Sequence, residues 1–143
     1  DGPQREYLQS LTQKLNLDEA IKFIPWSEEA SLASAYADCD AFVHPCRFPE
    51  PLGRTIIEAL FFGRPIVTSK NSGSAWAAGD AGVTADMGSA KDLEMILTRL
   101  YDEPYRLKHL NQTAPSRVAF FDVNRWTDIL EKDLQRVLAA QSK

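Results

Sequence analysis

A chain of 143 residues can bury one core of ordinary size, and 44% hydrophobic with 25% charged residues points to neither a disordered nor a membrane class. A net charge of -4 argues against a general polyanion binder, so no nucleic acid is expected as a partner. The longest apolar stretches, such as Ile56 to Phe62 interrupted by Glu58, fall well short of the roughly 20 residues of a membrane helix.

Leu8, Leu11, Leu15 and Leu17 recur at near-helical spacing after Asp1-Gly2-Pro3, which predicts an opening helix to about Leu15. Ile21, Phe23 and Ile24 predict a short strand, and Ser27 with Glu28 and Glu29 an N-cap for a second helix ending near Ala37. The apolar run Asp40 to His44 predicts a strand buried on both faces, hence a parallel sheet. Past a Pro- and Gly-rich loop and an apolar helix, Gly63 stands where a left-handed C-cap belongs, and Ile66 to Ser69 reads as another buried strand. Asn71 to Ala75 reads as a loop, Gly82 to Ala85 as a strand, and Ser89 to Asp92 as a capping box for a helix through Leu100. After Pro104 the pattern predicts a helix broken near Pro115. Trp126, Ile129, Leu130, Leu134, Val137 and Leu138 then form one apolar stripe on a long last helix, about 123–141, with Trp126 expected in the core. Strands alternating with helices make the fold α/β with a doubly wound parallel sheet.

Ligands of open parallel sheets bind at the carboxyl ends of strands, so the loops after Phe42-Val43, Ile66-Val67 and Phe23-Ile24 carry the functional weight. In the first loop, Gly53 lets the backbone approach a ligand, and the N–H groups of Arg54, Thr55 and Ile56 open a helix whose dipole favours an anion such as phosphate. Glu58, a turn into that helix, can accept hydrogen bonds from a vicinal diol such as ribose. Glu50, before the turn, can bind sugar hydroxyls or stabilise positive charge. Against this stands a plainer reading: Thr55-Ile56-Ile57-Glu58 is a capping box, with Glu58 returned to the Thr55 N–H and Glu50 a solvated acid. Spacing alone favours the capping box. His44 and His109 read as structural or surface residues, Cys46 as a packed thiol, and Lys70 and Arg47 as surface charges within reach of a phosphate. Two Cys and two His without ligand spacing predict no metal site. Cys39 and Cys46 flank a strand and are expected to stay reduced, in a cytoplasmic setting.

The run Glu50-Pro51-Leu52-Gly53 through Glu58-Ala59, followed by Gly63 to Val67, resembles the E-x7-E region of retaining glycosyltransferases of the GT-B fold, family 4. Its neighbours match in order. Asp1-Gly2-Pro3 resembles the end of a G-D-G-P turn, Ile21 to Trp26 a V-x-F-x-G strand, and Asp40 to Pro45 a D-x-F-V-x-P strand. Asp80 to Val83 resembles the loop and strand that precede Ser89 to Leu93. The resemblance implies a Rossmann-like C-terminal half of a GT-B fold, spanning residues 1–143 as a partial nucleotide-sugar-binding domain. It implies a UDP- or GDP-hexose donor as substrate, without a cofactor or bound metal. Glu58 would hold the ribose, and Glu50, as the catalytic residue, would contact the transferred sugar near its reacting face. Leu52, Gly53, Arg54 and Thr55 would contact sugar and diphosphate, and Trp26 would lie near the base.

The family's G-R-x-x-x-x-K-G segment, which neutralises the diphosphate, lies upstream of the G-D-G-P turn, and so does the acceptor domain. The beginning of this chain looks cut, and the chain alone is expected to be inactive. Asn71-Ser72-Gly73-Ser74 also replaces the usual G-G-x-x-E loop. In the family's strand order the first two strands of the domain are then missing, between the strand ending at Ile24 and that of Phe42-Val43. Either the natural chain is longer, or the gap closes by direct re-pairing or in a strand-exchanged dimer. A non-catalytic scaffold module and another GT-B enzyme, such as a nucleotide-sugar epimerase, remain as alternatives. Peripheral membrane association of the parent protein stays open.

Overall fold

The computed structural model describes residues 2–25 and 29–141, which group into two compact units, residues 1–35 and 36–143. Trp26, the expected N-cap Ser27 and Asp1 of the G-D-G-P-like turn lie outside the described residues. Among the described residues no helix is long and apolar enough to cross a membrane.

In the first unit, helix α1 (Arg5–Lys14) carries Glu6 in its first turn and Lys14 in its last, both favourable to the helix dipole. It closes in a Schellman motif, with Asn16 at φ 55° and the N–H groups of Asn16 and Leu17 donating to the carbonyls of Gln13 and Thr12. The strand predicted over Ile21, Phe23 and Ile24 does not form. A strand is a ladder, and no described residue pairs with this segment; Ile21 and Ile24 are exposed, while Phe23 lies under the Arg5 guanidinium at 5.9 Å. Helix α2 (Glu29–Asp38) runs into the second unit, to which Tyr36 belongs.

The second unit is a parallel three-stranded sheet in the order β1 (Phe42–His44), β2 (Ile66–Ser69), β3 (Gly82–Ala85). Phe42, Val43 and His44 stand opposite Ile66, Val67 and Thr68, and Ile66 to Ser69 opposite Gly82 to Ala85. All four β2 residues are buried, as the central strand of a parallel sheet requires. The β1 residues are half-buried or exposed, which corrects the expectation of burial on both faces: β1 is an edge strand. The sheet has no fourth strand among the described residues, so direct re-pairing, one of the three alternatives for the gap, is not seen within it.

Alternation along β2 divides the core between two faces. Ile66 joins Tyr36 of α2, Ile56, Ala59 and Leu60 of helix α3 (Arg54–Phe61), and Ala77 and Ala78 of the short helix α4 (Gly73–Ala78). Val67 joins Leu100 of helix α5 (Ala90–Asp102) and Leu110 of helix α6 (Pro104–Phe120) on the other face. Helices on both faces of a parallel sheet make the fold doubly wound. Gly63 at φ 71° closes α3 as expected, with the N–H groups of Gly63 and Arg64 donating to the carbonyls of Leu60 and Ala59.

Four further expectations are corrected or refined. The predicted loop 71–75 turns into α4 at Gly73, because the Ser72 hydroxyl accepts from the Ala75 N–H and caps a helix. Ser89 caps α5 through the Asp92 N–H, but the Asp92 carboxylate accepts from the Asp86 N–H, so the capping box is half made. Helix α6 passes unbroken through Pro115. The cost of an interior proline, roughly 3 kcal/mol for the lost hydrogen bond and the ring's clash together, is offset by burial of Leu110 and Ala114 and by Arg117 donating to the Ala77 carbonyl at 2.8 Å. The last helix, α7 (Val123–Gln141), carries the apolar stripe, yet Trp126, Ile129, Leu130 and Leu134 are exposed. Trp126 is therefore no core residue. Its indole N–H donates to the Phe120 carbonyl at 2.8 Å and its ring meets Phe120 edge-on.

Candidate functional site

Parallel strands point their carboxyl ends the same way, so the loops after β1 and β2 emerge side by side. Backbone and side-chain bonds fasten the two together. The Cys46 N–H donates to Ser69 Oγ at 2.8 Å and the same hydroxyl donates to the Cys46 carbonyl at 2.9 Å. Thr68 Oγ1 donates to the His44 carbonyl at 2.9 Å, and the Gly73 N–H to the Glu50 carbonyl at 2.6 Å. Gly73 is required by this closeness, since a Cβ there would lie 1.7 Å from the Pro51 carbonyl oxygen. Gly53, the N-cap of α3, adopts φ 71°, and a Cβ on it would sit 2.7 Å from Ser74 Oγ.

Glu50 lies half-buried at this junction. Its Oε2 pairs with His44 Nε2 at 3.1 Å and lies 3.7 Å from Cys46 Sγ. The Phe42 ring, stacked on the imidazole at 6.0 Å between centroids, orients His44. Cys46 is buried, and its thiol is pushed up from the ordinary range chiefly by that burial, so it is a packed thiol as expected. His44 is the residue that sequence reasoning undervalued. Its signal was parity: His44 and Cys46, two apart in extended chain, share a face at the carboxyl end of a strand. His44, Cys46 and Glu50 bring one ligand atom each within 4.8 Å of one another, a grouping hidden from a survey of Cys and His spacing alone.

Helix α3 overturns the capping-box reading. Its N-cap is Gly53, not Thr55, and no side chain caps it. Arg54 and Thr55 occupy the first two helical positions, with Arg54 exposed and Leu52 and Thr55 half-buried. Glu58 lies too far into the helix to serve its start. Its Oε2 instead accepts from the Tyr36 hydroxyl at 2.9 Å. Burial, and after it the Glu58 carboxylate, push the Tyr36 hydroxyl up to about 12, so Tyr36 stays a donor at neutral pH. The bond takes one of the carboxylate's several acceptor positions, which leaves Glu58 able to receive a diol.

Other charged and aromatic residues lie apart from this junction. Lys70 pairs with Asp86 at 2.8 Å on the surface, and His109 is exposed on α6. Trp76 stacks under Arg117 at 5.2 Å and meets Phe120 and Phe121 edge-on, which makes it part of the α4–α6 contact.

The family model described as glycosyl transferases group 1 matches residues 1–117. The lipopolysaccharide core biosynthesis glycosyltransferase LpsD of Rhizobium meliloti is 35% identical over 108 residues, 73% of this chain and 30% of LpsD. A D-inositol 3-phosphate glycosyltransferase of Thermomonospora curvata is 33% identical over 107 residues, 73% of this chain and 25% of that protein. Among solved structures, Anabaena HepE in complex with UDP matches with a TM-score of 0.79 at 24% identity, covering 93% of this chain and 38% of HepE. Sucrose-phosphate synthase of Thermosynechococcus elongatus matches with a TM-score of 0.80 at 24% identity, covering 97% of this chain and 35% of that one. The chain thus spans less than a third of the length of the two curated relatives, and its fold is that of the Rossmann-like C-terminal half of GT-B proteins. By the extent of its match, this chain belongs to the group 1 glycosyl transferases.

Proposed function

We propose that this chain is the donor-binding part of a retaining hexosyltransferase whose donor is a UDP- or GDP-hexose. One observation carries the reading: α3 starts without a side-chain cap between Glu50 and Glu58, and Glu58 is held by Tyr36 rather than spent on its own helix. Two acids flank a set of backbone N–H groups, which suits a ligand with a sugar at one end, a diphosphate in the middle and a ribose at the other.

In this reading the N–H groups of Arg54 and Thr55 and the dipole of α3 receive the diphosphate, with Leu52 and Gly53 as backbone neighbours of sugar and phosphate. Glu58 accepts from the ribose hydroxyls. Glu50, positioned by His44, faces the transferred hexose and opposes the positive charge of an oxocarbenium-like transition state. Solved HepE complexes with UDP, with UDP and glucose and with UDP-glucose support a uridine donor. In this reading the acceptor site and the further basic groups that neutralise the leaving diphosphate correspond to the parts of the relatives that this chain does not match.

A panel of nucleotide sugars in a thermal-shift assay tests the class of ligand. One UDP- or GDP-hexose is expected to raise the Tm by several degrees at about 100 times its Kd, where bound ligand adds roughly 2.7 kcal/mol. The free hexose at the same concentration should leave the Tm in place. Equal shifts from nucleotide and free hexose, or none from any nucleotide, would remove the donor reading.

A further inference from the structure

We propose that His44, Cys46 and Glu50 form a binding site for a thiophilic divalent cation, with Zn2+ the ion that fits best. The three donor types are an imidazole nitrogen, a thiol sulfur and a carboxylate oxygen, the mixture that zinc accepts. Calcium and magnesium prefer all-oxygen sites, so thiol and imidazole argue against them.

The spacing suits a tetrahedron. Zinc bonds of about 2.0–2.3 Å place neighbouring ligand atoms roughly 3.3–3.6 Å apart. Here Nε2 and Oε2 are 3.1 Å apart and Sγ and Oε2 3.7 Å, with all three atoms inside 4.8 Å, so a small side-chain adjustment admits an ion between them. The backbone needs no adjustment. The His44 carbonyl is tied to Thr68, Cys46 to Ser69 through both its N–H and carbonyl, and the Glu50 carbonyl to Gly73. Each ligand residue is thereby fixed to β2 or the loop that follows it, and the entropy of assembling the set is spent in folding rather than in metal binding.

Burial is graded in a way that gives access. Cys46 is buried, whereas the His44 and Glu50 side chains are 30% and 31% exposed, so the ion enters from the open side and a water completes the fourth position. Binding forms a Zn–S bond as the Cys46 S–H proton leaves to solvent; the neutral His44 ring shifts its proton from Nε2 to Nδ1, and the freed Nε2 and the Glu50 Oε2 exchange their mutual hydrogen bond for two bonds to the ion. The consequence for catalysis rests on the reading of Glu50 as the acid facing the donor sugar: an ion on Oε2 withdraws that carboxylate, and Zn2+ acts as an inhibitor.

The test uses the metal alone, without nucleotide, so its outcome is separate from that of the donor reading. Co2+ added to the full 143-residue chain is expected to bind one to one, with a thiolate charge-transfer band and intense tetrahedral bands, and Zn2+ should displace it. Cys46→Ala should abolish the thiolate band, and His44→Gln should weaken Co2+ at least about tenfold, the least that changes even to outer-shell partners cost. Cys39→Ala and His109→Gln should leave both readouts in place. Circular dichroism establishes that each variant is folded, and His44→Gln stands in if Cys46→Ala is not. Absence of a thiolate band in the unaltered chain, loss of the band in Cys39→Ala instead, or unchanged Co2+ affinity in folded His44→Gln would overturn the site.

Discussion

Glu50→Gln in the full-length enzyme is expected to lower kcat by about 100- to 1,000-fold, the range seen when a group that stabilises transition-state charge is removed from a preorganised site. Glutamine keeps the shape of the side chain and an oxygen that can accept from His44 Nε2, so the pair at 3.1 Å survives in modified form. The backbone bond from Gly73 to the residue 50 carbonyl is untouched. The Tm should therefore stay within about a degree, and KM for the donor should change far less than kcat, because what is lost is charge opposite a developing cation rather than ground-state contact. Initial rates with donor in excess, beside a thermal melt of the same preparation, separate the two. A variant that melts early and keeps its kcat would make Glu50 a structural partner of His44 and nothing more.

Gly73→Ala should be the most damaging single-methyl change in the described part of the chain. The added Cβ would meet the Pro51 carbonyl carbon at 2.1 Å and the Glu50 carbonyl oxygen at 2.7 Å, both backbone atoms that cannot swing aside as a side chain end can. Either the loop after β1 moves away from the loop after β2, or α4 shifts, and each route breaks the Gly73 to Glu50 hydrogen bond. A loss of roughly 3 kcal/mol and a fall in Tm of about 10 °C are expected, together with weaker donor binding, since Glu50 and the start of α3 hang on the same loop. Denaturant unfolding measures the first effect. An unchanged midpoint would mean that the two loops are not fastened as described.

Much of the architecture was readable from residue pattern where the pattern states a local requirement. Ile66 to Ser69 is apolar or small throughout and is buried throughout, and Gly63 ends its helix in a left-handed turn. Pattern failed where the outcome depends on a distant partner. Ile21 to Ile24 has the composition of a strand, but a strand exists only as one side of a ladder. The α7 stripe has perfect helical periodicity, which says that one face is apolar and does not say what meets it. The same distinction governs the site. Glu58 looked like a capping acid because Thr55 stands three residues before it, whereas its partner is Tyr36, 22 residues away. His44 looked incidental because its partner Glu50 reaches it only after a turn that is tied to the loop following another strand.

The central proposal, that Glu58 receives the ribose of a nucleotide donor, is tested most directly by calorimetric titration of UDP and GDP into the full-length protein and its Glu58→Ala variant. The account predicts that the preferred nucleotide binds the unaltered protein at least about tenfold more tightly than the variant, the cost of losing a charged hydrogen-bond acceptor. It also predicts that the variant keeps its fold, because no helix cap is lost with Glu58. Equal affinities for a folded Glu58→Ala variant and the unaltered protein would contradict it, and would leave Glu58 as the anchor of Tyr36 alone.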